Sequence, residues 1–355
     1  MAGSRTGIKH GPLLSLFLCF AILFIGSVIN PAASAETEDD RGIVTFQVEN
    51  DVIAGTDRNY TNGLRASYLS PEVPRDHWSF EAARLIPTFG DNNRVRYNFS
   101  VGQSIFTPED TDRRELIRGD RPYAGWAYGR FAVLFYDDER DDQGDLISNG
   151  QLQTLAVDIG MVGPWALGEE VQNNFHNLIG VEESNGWANQ LENEPGLMIS
   201  YESAWRNLIE RPKLHDFGFD LIPHVGFTLG NVMTYGAAGG AMRVGFNLPK
   251  DFGPPRIQPG LPGSGYFEPS DGLGLYLFGG VEGRAVARNI FLDGNTFRDS
   301  HSIDRNVFVG DLQVGVAATY GDVRLSLAQV MRSPEIEGGP TDRFGALSLS
   351  YRFDF

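Results

Sequence analysis

The stretch from Gly345 to Phe355 reads apolar and polar by turns. Leu347, Leu349, Tyr351, Phe353 and Phe355 fall on one phase; Ser348, Ser350, Arg352 and Asp354 fall on the other. A period of two belongs to a β-strand with one apolar and one polar face. Strands that end a chain in this way, on an aromatic, typically finish bacterial outer-membrane barrels. The constraint is strong, because lipid offers no partner to unpaired backbone groups and strands cross it only as a closed barrel. Such a chain works on lipids, pore solutes or docking partners.

The opposite end agrees. Arg5 and Lys9 precede an uncharged run from Leu13 to Val28, and Ala33-Ser34-Ala35 follows. This is the layout of a secretory signal, residues 1–35, cleaved before Glu36. The run is shorter than the roughly 20 apolar residues of a membrane anchor. The only cysteine, Cys19, lies within it, so residues 36–355 hold no disulfide and no thiolate metal site. The 29 basic and 46 acidic residues give −17 overall; without Arg5 and Lys9 the balance is 27 against 46, or −19. That acidity argues against nucleic acid as a partner.

Beyond residue 35 no uncharged stretch is long enough for a membrane helix. Alternating segments recur instead. In 94–105, Val95, Tyr97, Phe99, Val101 and Ile105 face one way, and Arg94, Arg96, Asn98, Ser100, Gly102 and Ser104 the other. Comparable segments fall at 42–52, 61–70, 94–106, 122–137, 151–163, 196–207, 215–231, 234–248, 273–290, 305–319, 321–332 and 343–355. Twelve is an even number, as single-chain bacterial barrels require. A secreted β-sandwich shares the alternation and turn spacing, and a mean hydropathy of −0.22 does not separate the two. The aromatic-ended last strand and the leader favour the barrel, a single domain over 36–355. With the N-terminus in the periplasm, 53–60, 107–121, 164–195, 232–233, 291–304 and 333–342 face outward. The segments 71–93 and 249–272 face the periplasm and are long for such turns, which conflicts with the topology.

One outer connection loses the two-residue period. In 164–180 Leu167, Val171, Phe175 and Leu178 recur at helical spacing. Pro164 suits the first turn, Glu169 and Glu170 the positive helix start, and Gly180 the stop. Glu169, Gln172 and His176 share a face beside the apolar stripe, so a helix packed on the barrel holds Gln172 and His176 against the wall. The other histidines after the leader are His77, His215, His224 and His301. A helical histidine commonly serves as a surface or capping residue; Gln172 and Glu182 nearby can instead orient its ring or fix its tautomer.

The first hairpin runs from Glu49-Asn50-Asp51 to Asn59-Tyr60-Thr61-Asn62. Strict alternation turns Asp51 and Thr61 toward the lumen. Carboxylate, amide and hydroxyl oxygens there suit calcium, and they equally suit ordinary turn chemistry. Arg113, Arg114, Arg118 and Arg121 form a basic island on a predicted outer loop, fit for phosphate or for solvated ion pairs with Asp112, Glu115 and Asp120.

Glu49-Asn-Asp, Asn59-Tyr-Thr-Asn-Gly63, Arg118-Gly-Asp-Arg121, Gly186-Trp-Ala-Asn-Gln-Leu-Glu-Asn-Glu194 and Gly163-Pro-Trp-Ala-Leu-Gly-Glu-Glu-Val-Gln-Asn-Asn-Phe-His176 together resemble the outer-membrane lipid A deacylase family (LpxR-like). The resemblance covers essentially all of 36–355. It implies a twelve-stranded antiparallel transmembrane β-barrel in the bacterial outer membrane, with a short helix in an extracellular loop. It further implies calcium-dependent hydrolysis of the 3′-acyloxyacyl ester of lipid A, by a monomer. Carried over by residue, His176 matches the catalytic histidine, Gln172 its helical partner, Asn50, Asp51 and Thr61 the hairpin residues, and Glu182 the acid after the helix. Asp51 and Asn50 are then the expected calcium ligands, and Arg113, Arg114 and Arg118 lie where the family presents basic residues to lipid phosphates. The expected chemistry is water deprotonated by His176 beside a cation that polarises the ester carbonyl. A phospholipid esterase built on the same site, and a non-catalytic pore or receptor, are the competing readings.

Overall fold

The computed structural model describes residues 41–51, 59–78, 80, 93–140, 146–180, 182–211, 217–254, 257, 265–268 and 272–354. The expected leader, the tip of the first hairpin, His215 and Phe355 lie outside the described residues.

Twelve strands form the wall: β1 (Gly42–Asn50), β2 (Asn59–Leu69), β3 (Arg94–Thr107), β4 (Ala124–Arg140), β5 (Leu146–Val162), β6 (Glu194–Arg211), β7 (Phe217–Gly230), β8 (Met233–Phe246), β9 (Leu273–Asn289), β10 (Phe308–Tyr320), β11 (Val323–Arg332) and β12 (Asp342–Phe353). Each pairs antiparallel with its sequence neighbours, and β12 returns to β1 with Gly42 opposite Phe353 and Asn50 opposite Gly345. The sheet therefore has no free edge. Its strands run from 9 to 18 residues; since 9–11 cross a bilayer, the longer ones project beyond it. Among the described residues, two α-helices have both ends in view, each in a connection: α1 (Gly168–Ile179) and α2 (Ile290–Asp293). No helix among the described residues is long and apolar enough to cross a membrane.

The two phases of each strand carry opposite chemistry. Phe46, Ile159, Leu197, Leu277, Val281, Val314, Leu327, Leu349 and Tyr351 are exposed outside, while Thr45, Gln47, Glu49, Arg96, Arg130, Arg284 and Asp311 are buried within. Soluble proteins keep large apolar patches covered. A continuous apolar exterior around a charged interior decides for the membrane barrel over the sandwich.

The interior is filled. At the end carrying the loops, Tyr60, Phe106, Trp126, Tyr128, Tyr235 and Phe344 form an aromatic layer, closed by α2, whose Phe291 stacks on Phe106 at 3.9 Å between ring centroids. Below it runs a ladder of ion pairs: Glu282 to Arg284 at 2.7 Å, Arg284 to Asp311 at 3.0 Å, and Asp311 to Arg332 at 2.9 Å. At the end carrying the termini, Ile43, Leu69, Leu134, Leu152 and Ile222 pack with Phe252, Tyr266 and Phe267.

Those last three aromatics belong to the connection between β8 and β9, and they resolve the conflict over its length. The described residues of this segment form a plug rather than an oversized turn. Asp251 is clasped by Arg243 and Arg324. The Arg206, Arg96 and Arg324 guanidiniums lie over the Phe252, Tyr266 and Phe267 rings, at 5.3, 5.0 and 4.7 Å. Further along, the Ile257 N–H donates to Glu49 Oε1 at 3.1 Å, deep inside the wall. In the other long connection, after β2, the described Phe80 packs with Val95 and Phe135.

Candidate active site on the outer wall

The outer phases of β1, β2 and β3 are apolar along most of their length, then turn polar near the loop end. Val44, Phe46 and Val48 lead to Asn50; Tyr68, Ala66 and Leu64 lead to Asn62; Val101 leads to Gln103 and Thr107. Asn50 and Asn62 are register partners, and Asn62 is in turn opposite Ile105. All of these polar residues are buried although they lie on the lipid side of the sheet. Over Gln103 the cover is the connection between β5 and β6, whose Ala166 carbonyl meets it.

That connection crosses the wall at a pair of glycines. Gly125 of β4 lies under Gly168, the first residue of α1, with room for only 3.3 Å between a Cβ at 125 and the Gly168 nitrogen. Just ahead, a short 3-10 turn at Pro164–Ala166 places the Ala166 carbonyl where Gln103 Nε2 donates to it at 2.5 Å. Leu167, expected in the helical stripe, instead caps α1 in the left-handed region at φ 57°. Gly180, at φ 76°, stops the helix as expected, its N–H donating to the His176 carbonyl.

The face α1 turns to the wall is Gly168, Gln172 and His176, one residue per turn, with Gln172 and His176 2 % and 1 % exposed. The expected apolar stripe is only partly used: Val171 packs with Ile105, Tyr123 and Trp187, whereas Leu178 is 81 % exposed. Polar side chains are thus clamped between helix and barrel. His176 Nδ1 lies 2.7 Å from the carbonyl oxygen of Glu182. A carbonyl only accepts, so Nδ1 carries the proton and Nε2 is the ring's basic nitrogen. The Glu182 carboxylate itself is exposed; its backbone is what touches the histidine. Gln172 Oε1 accepts from the indole N–H of Trp187 at 3.0 Å, and Gln172 Nε2 is buried with no hydrogen-bond partner among the described residues.

On the wall, alternation does not carry through the first hairpin. The register of β2 against β3 shifts between Tyr60 and Asn62, so Thr61 is an extra residue, a β-bulge. Bulges re-aim side chains. Tyr60 turns into the barrel against Phe106 and Phe344, its hydroxyl occupying the space a Cβ at Gly63 would need. Thr61 Oγ1 pairs with Thr107 Oγ1 at 2.8 Å. Thr107 alternates with the inward Phe106, so the expectation that Thr61 faces the lumen is corrected: it faces outward with Asn62 and Ile105. Asp51, 1 % exposed, lies across from Thr61, and its N–H reaches the Thr61 carbonyl at 3.4 Å. Asn50, Asp51 and Thr61 thus stand at the same end of the barrel as His176 and Gln172, Thr61 on β2 beside the β3–β4 surface under α1, and Asn50 and Asp51 one strand further, at the end of β1.

The basic island divides. Arg113, Arg114 and Arg118 are exposed, with Arg113 3.9 Å from Glu115. Their backbone lies against the segment after α1, where Asn189 donates to the Arg114 carbonyl at 2.8 Å. Arg121 turns inward and is buried beside Glu335 at 3.1 Å. Burial pushes the Glu335 carboxyl up, but Arg332 and Arg121 outweigh it and hold the group below its ordinary range.

Trp187 and Asn62 entered the sequence reading only as members of longer stretches, without a role, and Gln103, Thr107 and the Gly125–Gly168 contact escaped it. Polar residues on a lipid-facing phase were the available signal for three of them.

For a cation, no group of three His, Cys, Asp or Glu side chains is present among the described residues. The donors at the hairpin are otherwise: one carboxylate (Asp51), the amides of Asn50 and Asn62, and the Thr61 hydroxyl. Asn62 Oδ1 is buried with no hydrogen-bond partner among the described residues. A hard-oxygen set with an orphaned carbonyl oxygen fits calcium better than a soft metal.

An edgeless antiparallel barrel, apolar outside and charged inside, with a buried histidine face pressed to its lipid side, is an integral outer-membrane barrel protein. The family model for outer membrane protein LpxR matches residues 16–353, and the chain belongs to that family. Among solved structures, LpxR from Salmonella typhimurium superposes with a TM-score of 0.66 at 22% identity, covering 87% of this chain and 99% of that one. The translocator domain of autotransporter NalP from Neisseria meningitidis gives 0.42 at 9% identity, covering 96% of each chain. No curated protein sequence matches.

Proposed function

We propose that this outer-membrane protein is a lipid A deacylase, hydrolysing the 3′-acyloxyacyl ester in the outer leaflet with calcium. The observation carrying the reading is the His176 geometry: a buried imidazole, tautomer set by the Glu182 carbonyl, on a face pressed to the membrane side of the wall. A pore has no use for such a face, and an interior filled at both ends disfavours conduction. Residues 1–35 are then the leader that directs export, and the loops face outward, where Arg113, Arg114 and Arg118 are available to lipid phosphates.

In this mechanism His176 Nε2 takes a proton from water, and the oxygen of that water adds to the ester carbonyl carbon. The Gln172 amide N–H donates to the oxygen on which charge develops. Collapse breaks the bond to the alkoxide, which receives its proton from the imidazolium, giving a free acyloxyacyl acid and a lipid A hydroxyl. Asp51, Asn50, Asn62 and Thr61 would hold calcium, which when bound supplies Lewis-acid stabilisation of that charge.

The test is mass spectrometry of lipid A from cells making wild type or His176→Ala, with and without chelator. Loss of one acyloxyacyl unit only with wild type and free calcium is expected, the variant falling by about 10²–10⁴-fold. Unaltered lipid A with new lysophospholipid moves the assignment to a phospholipid esterase. Activity equal in variant and wild type overturns the role of His176.

A further inference from the structure

We infer that Trp187 is a positioning residue for the reaction, acting through the amide of Gln172. The inference rests on the deacylase reading and adds a residue whose contact is with the helix rather than with substrate.

A glutamine amide is ambiguous by itself, with one end that accepts and one that donates. An indole N–H only donates. The 3.0 Å contact from Trp187 Nε1 therefore fixes the amide with Oε1 toward the tryptophan and Nε2 away from it. Nε2 is buried and meets no acceptor among the described residues. A buried, unsatisfied donor costs about 1–3 kcal/mol, so this N–H is not there for the fold. It stands one helical turn from His176 on the same face of α1, the side pressed to the wall. An ester oxygen or the oxyanion it becomes is an acceptor of the right kind. The opposite amide orientation would aim a second oxygen at that charge and turn attraction into repulsion.

Trp187 is itself held on all sides. It is 1 % exposed, its ring lies 4.9 Å from that of Tyr123, and it packs with Ile105 and Val171. A Cβ at Gly168 would come within 2.6 Å of the indole, so the helix start is shaped around it. The orientation of the amide is thus set by a rigid group that is anchored to the barrel wall.

Purified full-length protein in detergent micelles with lipid A and calcium tests this. Trp187→Phe keeps an aromatic ring and removes the N–H. Its kcat is expected to fall about 10–100-fold with KM within about twofold, against the 10²–10³-fold typical of a lost oxyanion donor. Gln172→Ala is expected to fall by about 10²-fold. Because Trp187 works through Gln172, the double variant should match Gln172→Ala alone. A Trp187→Phe enzyme as fast as wild type, or effects that multiply in the double variant, overturns the inference. Should Trp187→Phe fail to fold, benzothienylalanine at position 187, which keeps the bicyclic shape without the N–H, gives the same readout. A folded wild type that leaves lipid A intact sinks the deacylase reading; an active wild type, an inert His176→Ala and an unaffected Trp187→Phe sink only this inference.

Discussion

Gly168 shows how closely side-chain volume governs the site. It opens α1, where alanine is intrinsically the better helix former by about 1 kcal/mol. Yet its missing Cβ is what lets Trp187 lie against the helix and lets α1 approach Gly125. Gly168→Ala should therefore leave the barrel folded and lower the proposed deacylation by about 10-fold or more, since a displacement near 1 Å can cost about 10²-fold. Turnover measured beside the heat-modifiable gel shift of the folded barrel checks it; unchanged turnover would show that the contact is not limiting. At this scale the sequence was legible where spacing carries the information. His176 and Gln172 share one helical face, as their separation of four requires. Thr61 was misread because a bulge shifts phase without any mark in the residue types, and Trp187 because its partner lies fifteen positions away with no periodic relation.

Among the elements, the strands were the most readable. All twelve stand near their expected places, because alternation is enforced when one face meets lipid and the other a packed interior. The connections were less so. The segment between β8 and β9 looked too long for a turn; its Phe252, Tyr266 and Phe267 are apolar groups with a destination that turn statistics do not contain. Asp251 holds it, set between Arg243 and Arg324. Asp251→Ala would leave Arg243 with Asp220 as its carboxylate and take the Asp251 carboxylate from the buried Arg324, and removing one partner from such a cluster costs up to about 3–5 kcal/mol. Urea unfolding of the refolded barrel, followed by tryptophan fluorescence, should show a loss of that size. A midpoint equal to wild type would mean that the aromatic stacking alone retains the plug.

For the whole molecule, filling the lumen and pressing chemistry onto the exterior go together. A wall braced from inside by the aromatic layer, the ion-pair ladder and the plug presents a fixed outer surface, which a helix can use as half of a cleft. The expected corollary is electrical silence: planar bilayers containing wild type should show no steady conductance at salt concentrations where open porins pass current. Stable ohmic steps would count against a filled interior. Closure, strand number and lipid orientation were all readable from pattern, since each is a collective property of many residues. The helix against the wall was also readable, from the spacing of Gln172 and His176; the outward turn of Thr61 in the first hairpin was not, because it depends on a bulge.

The position of α1 on the outer flank has a kinetic consequence. On the proposed reading, a lipid bound for His176 would not enter the barrel; it would drift sideways within its own leaflet until it slid beneath the helix. Encounter is then two-dimensional. For the proposed deacylase, speed follows the mole fraction of target lipid among its neighbours, so diluting the membrane with inert lipid slows turnover even when the amount per volume of suspension stays constant.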